Sequence, residues 1–82
     1  MPHIIATCSS VRPFTGGVSA FDVEADTVRR MIGVLDARYP GLGQHIRRKL
    51  AIAVDGDIHQ DAGDIQLTPT SEVVLIPKIG GG

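Results

Sequence analysis

Tryptophan is absent, and only Phe14, Phe21 and Tyr39 are aromatic, so any core must be aliphatic. A single cysteine, Cys8, leaves no partner for an internal disulfide and suits a reducing compartment. There is no basic excess: 8 Lys and Arg against 9 Asp and Glu give a formal charge of −1, without the footprint that general nucleic-acid binding needs. No stretch approaches the roughly 18 apolar residues of a membrane span. No basic region followed by an apolar core marks a signal peptide. The expectation is a cytoplasmic protein with neither nucleic acid nor membrane as partner. Metal ligation is not expected either. His3, His45 and His59 lack zinc spacing, and Asp55, Asp57, Asp61 and Asp64 do not follow an EF-hand. Cys8 reads as a packed mid-strand thiol, since no His or Asp stands at motif spacing, so no catalytic residue is expected.

What the chain does have lies at its end, Glu72-Val-Val-Leu-Ile-Pro-Lys-Ile-Gly-Gly-Gly82. Val73 to Ile76 read as a buried strand rich in β-branched residues. Pro77 removes a backbone donor, so pairing should weaken there. Beyond it, Lys78, Ile79, Gly80, Gly81 and Gly82 predict a thin, mobile thread that carries a free carboxylate. Glycine supplies a narrow approach with no side chains. Fully extended, residues 78–82 reach roughly 16–18 Å. The expected division is a folded domain over 1–77 and a tail over 78–82, with the Gly82 carboxylate as the working group. A frayed end is the plainer reading of the same residues.

The 82 residues, 43% hydrophobic, suit one small domain. His3–Ser9 predicts a first strand and Val18–Val23 a second, with Phe21 and Val23 on one face. Arg12-Pro13-Phe14-Thr15-Gly16-Gly17 reads as a loop. Asp26 or Thr27 caps a helix whose Val28, Met31, Ile32, Leu35 and Tyr39 form one apolar stripe. Gly33 suggests a close backbone approach on that helix, and Pro40-Gly41 ends it. Leu42–Lys49 is a turn or short helix anchored by Leu42 and Ile46. Its Arg47-Arg48-Lys49 cluster reads first as a solvated face and second as a source of partner steering. Leu50–Val54 is a third strand, Asp55-Gly56 a tight turn into a short fourth, and 61–71 a loop plugged by Ile65 and Leu67. The order β-β-α-β-(β)-β predicts an α+β fold of the ubiquitin-like β-grasp kind. It has a mixed sheet, one main helix packed on one face, and a flexible Gly-Gly tail. With the last strand central, Val73 and Leu75 face the helix. Val74 and Ile76 lie on the open face as a partner-binding patch.

The chain resembles the MoaD/ThiS sulfur-carrier family. The specific part is the ending Glu72-Val73-x-Leu75-Ile76-Pro77-x-Ile79-small-Gly81-Gly82, with Gly80 in the small position. Thr27 to Tyr39-Pro40-Gly41 resembles the family helix, and Val54-Asp55-Gly56 stands where many members have Val-Asn-Gly. Val11–Gly17 is similar to a loop in some members, including a cysteine-biosynthesis carrier. Leu67-Thr68-Pro69-Thr70-Ser71 departs from the acidic glycine turn that many members carry before the last strand.

The resemblance implies a carrier with no bound cofactor. A ubiquitin-activating-like adenylyltransferase would use ATP to adenylate Gly82, and a sulfur donor would convert the adenylate to a thiocarboxylate. The tail, Gly81, Gly80, Ile79 and Lys78, would thread into a sulfur-accepting synthase. The leading expectation for that synthase is the large subunit of molybdopterin synthase. A carrier for cysteine or thiamine biosynthesis, a protein modifier conjugated through Gly82, and a binding module with an inert tail are the alternatives.

Overall fold

The computed structural model describes residues 1–59 and 63–78. Five strands form one mixed sheet in the order β2-β1-β5-β3-β4. They are β1 (His3–Ala6), β2 (Ala20–Asp22), β3 (Leu50–Val54), β4 (Asp57–His59) and β5 (Glu72–Pro77). β1 and β5 run parallel, and the other neighbours are antiparallel. The expected hairpin, the central last strand and the mixed sheet are all present. β2 and β3 are not neighbours, so the connection through the helices passes over the slots that β1 and β5 fill.

Helix α2 (Val28–Arg38) carries the expected stripe. Val28, Met31, Ile32 and Leu35 are buried, Tyr39 is half-buried, and Arg29, Arg30, Asp36 and Arg38 face solvent. Of the two candidate caps, Thr27 serves: its Oγ1 accepts a hydrogen bond from the Arg30 N–H at 3.1 Å. The first helical N–H groups have no partner within a helix. Here Val28 N–H donates to Ile65 O and Arg29 N–H to Gly63 O, at 3.0 and 3.1 Å. The segment read only as a loop therefore completes the helix start, with Leu67 buried and Ile65 half-buried beneath it.

Leu42–Lys49 is a second helix, α3, anchored by buried Leu42 and Ile46. The sequence expectation about Gly33 is corrected. A Cβ there would meet nothing within 4 Å, because Gly33 follows the buried stripe onto the exposed side. The close approach falls at Gly43, where a Cβ would lie 2.8 Å from Asp36 Cβ. Asp36 Oδ1 accepts from the Gly41 and Gly43 N–H groups at 3.2 and 3.0 Å, which locks α3 to the end of α2. We expect Gly43→Ala to destabilise the fold by about 1–3 kcal/mol, the cost of overpacking plus a displaced acceptor. The denaturant midpoint measures it, and Gly33→Ala should be neutral or stabilising.

Arg12–Thr15 is not a loop. It forms a one-turn helix, α1, after a 3-10 turn over Ser9–Val11. Pro13 suits the first turn, where no intrahelical donor is needed. Gly16 ends it at φ 68°, its N–H donating to Arg12 O at 2.9 Å. β1 accordingly stops at Ala6 and β2 begins at Ala20, shorter at both facing ends than expected. Cys8 is thereby placed after the strand rather than within it, half-buried against the core.

The β3–β4 turn has Asp55 at φ 49° and Gly56 at φ 93°, the left-handed pair that two-residue hairpins favour. Asp55 Oδ1 also accepts from the Glu72 N–H at 2.9 Å, joining the turn to the start of β5.

Candidate partner face and tail root

β5 sits between β1 and β3, so its alternation divides cleanly between two environments. Val73 and Leu75 are 0% exposed, packed with Ile4, Ile52 and the α2 stripe. Val74 and Ile76 are half-buried on the opposite, helix-free face. The expected placement of these four residues holds.

Register supplies neighbours that the sequence reading did not name. Ile5 pairs with both Ala20 and Val74. Ala53 pairs with both Val74 and Ile58. Cross-strand partners share a face, so Ala20, Ile5, Val74, Ala53 and Ile58 form one apolar row across all five strands. Ile76 lies beside Ala51 on the same face. Ile58 is 60% exposed. Val74 lies between Ile5 and Ala53, and Ile76 beside Ala51, so each has one small alanine neighbour on β3. The alternation of β1 is too weak to mark this row, and a strand of four residues does not reveal its register. The other end of the same face is polar. His3 Nδ1 lies 2.9 Å from Asp22 Oδ1, and His3 pairs in register with Glu72.

The chain is held firmly to the end of β5. Leu75 O accepts both the Thr7 N–H at 3.0 Å and the Thr7 Oγ1 hydroxyl at 2.9 Å. Pro77 pairs with Leu50 and closes the strand. Lys78, read from sequence as the first tail residue, is tied to α3. Its N–H donates to Lys49 O at 3.1 Å and its Nζ to Arg47 O at 3.0 Å. Ile79, Gly80, Gly81 and Gly82 lie outside the described residues.

Elsewhere, Ser10 Oγ and His45 Nε2 are 2.8 Å apart, and Phe14 packs on the His45 ring at 5.2 Å between centroids. This joins the 3-10 turn and α1 to α3. No carboxylate hydrogen-bonds to His45 among the described residues, so the pair lacks the third group that orients an activated nucleophile. Among the described residues, no three His, Cys, Asp or Glu side chains come together in a way that could hold a metal ion. No described helix is long and apolar enough to cross a membrane.

Comparison with known proteins fits this architecture. A search of curated proteins found no match. Among solved structures, CysO of Mycobacterium tuberculosis, described as an antigen, superposes with a TM-score of 0.83 at 19% identity, covering 96% of this chain and 100% of that one. A chain of the Amycolatopsis orientalis BexX/CysO complex gives 0.83 at 16% identity, covering 100% of both chains. Small archaeal modifier protein 1 of Methanosarcina acetivorans gives 0.76 at 15% identity, covering 99% of this chain and 95% of that one. At such identities the likeness establishes the fold, the ubiquitin-like β-grasp. The model of the ThiS family matches residues 9–82, nearly the whole sequence with the glycine ending included. A β-grasp sheet with its last strand at the centre, joined to that match, places the chain in the ThiS family of small, non-catalytic sulfur carriers.

Proposed function

We propose that this chain carries sulfur as a thiocarboxylate on Gly82. The observation that carries the reading is that the family match extends through the glycine ending to residue 82. A carboxylate is a poor electrophile because oxide is a poor leaving group. Attack of a Gly82 carboxylate oxygen on the α-phosphorus of ATP expels pyrophosphate and gives an acyl adenylate. A hydrosulfide equivalent from a sulfur donor then adds to the acyl carbon, and AMP leaves with its bonding pair. Residues 79–82 thread the adenylyltransferase and later a sulfur-accepting synthase, while the apolar row around Val74 and Ile76 docks outside.

The acceptor we favour is the large subunit of molybdopterin synthase. One feature supports a second acceptor, in cysteine biosynthesis. The Val11–Gly17 segment that resembles such a carrier is an ordered turn and helix at the end of the sheet where β5 finishes. Conjugation to target proteins through Gly82 is the reading suggested by the archaeal modifier's name.

Incubation with the cognate adenylyltransferase, ATP and sulfide should raise the mass by about 16 Da, oxygen replaced by sulfur at Gly82. An unchanged mass overturns the proposal. Single-turnover transfer to a molybdopterin precursor or to a cysteine synthase then separates the acceptors, and adducts on other proteins mark conjugation. Ile76→Asp should raise the KM for activation about tenfold, as loss of an interface anchor does, with the thermal midpoint nearly retained. An unchanged KM would remove the open face from the docking surface.

A further inference from the structure

The folded chain sorts its charges by end. β1 and β5 finish at the same end of the sheet, and the α3–β3 junction lies there too, because β3 starts opposite Pro77. Five basic side chains occur at this exit end. Arg12 opens α1, Arg47, Arg48 and Lys49 form the last turn of α3, and Lys78 follows β5. Hydrogen bonds hold the three segments together: Lys78 to the carbonyls of Arg47 and Lys49, and Ser10 to His45.

Carboxylates collect at the far end. Asp22 ends β2, Glu24 and Asp26 lead into α2, Asp55 lies in the hairpin turn and Asp57 follows it, and Glu72 begins β5. Bases near that end are matched: Arg29 lies 3.1 Å from Asp64 and Arg30 3.5 Å from Asp26. Among the described residues, none of the five exit-end bases has a carboxylate within ion-pair distance. Asp36 lines the same surface groove as Arg47, but its Oδ1 serves the backbone N–H groups of Gly41 and Gly43. A helix C-terminus favours cations, which accounts for Arg47 to Lys49. It does not account for Arg12, brought in from another element without a counter-ion.

The position of the collar suggests its purpose. The four residues beyond Lys78 span at most roughly 13–14 Å, so when their tip sits in a cleft the collar meets the rim and not the pocket. The body is 29 Å in its longest extent, several times the Debye length of about 8 Å at physiological salt. A partner therefore feels the end it faces rather than the net charge of −1. We infer that the exit-end bases dock on a carboxylate-lined rim around the tail-accepting cleft of the activating adenylyltransferase, orienting the encounter so that the tail enters first. The inference rests on the carrier reading of Gly82. A nucleic-acid partner is disfavoured, because five bases at one end fall short of the extended basic footprint that it needs.

The test is pyrophosphate release by the cognate adenylyltransferase with the full-length chain. Arg48→Glu with Lys49→Glu, and Arg12→Glu as an independent variant in another element, should raise the KM about 10–100-fold at low salt. Saturating kcat should stay unchanged, and the difference should close at about 0.5 M salt. Glu24→Lys with Asp57→Lys, at the far end, should leave the KM within about twofold, as rim-remote charges do. An unchanged KM in both exit-end variants overturns the collar while leaving the carrier reading standing. So does an equal loss from the far-end variant, or a loss that persists at high salt. Duplex DNA that binds wild type but not the variants, and competes with the enzyme, assigns the collar to phosphate and overturns the protein rim. Wild-type chain that releases no pyrophosphate overturns the carrier reading and the collar with it.

Discussion

A chain that ends at Gly81 should fold like the intact protein and fail to be activated at all. Removing one residue withdraws the carboxylate by roughly 3.5 Å. A misplacement of about 1 Å at a reacting centre already costs on the order of 10²-fold, so adenylation should drop more than about 10³-fold, to background. The fold should not notice, because the last described strand ends at Pro77 and the last described tether is at Lys78. Pyrophosphate release and intact mass measure the first half, and the thermal midpoint measures the second. A collapse of the midpoint would mean that the glycine ending serves the fold rather than the chemistry. Activation that survives the deletion would mean that another group accepts the adenylate.

Leu75→Ala should have the largest effect on stability. Leu75 is 0% exposed on the central strand, flanked in register by Ala6 and Ile52. Truncating such a residue costs about 2–5 kcal/mol. A domain of this size holds only about 5–10 kcal/mol in total, so the loss removes a large share of it and the denaturation midpoint should fall sharply. Val74→Ala, one position earlier on the open face, should cost under about 1 kcal/mol, since part of its surface is already in water. Chemical denaturation of the pair measures the contrast. Equal losses would mean that β5 is buried on both faces and that no docking patch exists beside the tail.

Much of this is legible in the amino-acid sequence. α2 carries an uninterrupted stripe with a capping threonine, and β3 is a run of five apolar residues closed by Asp55-Gly56. In both, local pattern and tertiary burial agree. α1 was not legible because its residues are ambiguous by nature. Pro13 and Gly16 break a helix from inside, yet they begin and end one at its margins. Two glycines exchanged roles for a related reason. Composition marks Gly33 and Gly43 alike, and only the crossing of α2 and α3 shows at which of them a Cβ would come within 2.8 Å of a neighbour. The open-face row was half legible. Val74 and Ile76 follow from β5 being central, whereas Ile5, Ala53 and Ile58 join them only through strand register, a non-local fact. Charge polarity was hidden in the same way: Arg12 and Lys78 are distant in sequence from Arg47, Arg48 and Lys49, and the fold alone brings them to one end.

The outermost strands are the shortest. β2 and β4 hold three residues each, Ala20–Asp22 and Asp57–His59, each bearing an exposed aspartate. So brief a border gives a visiting polypeptide, or a second copy, little backbone to zip onto. Such edges disfavour strand addition, the mode by which many small sheets capture extended peptides. On the carrier reading proposed above, recognition would then fall to the open sheet face and the basic pole.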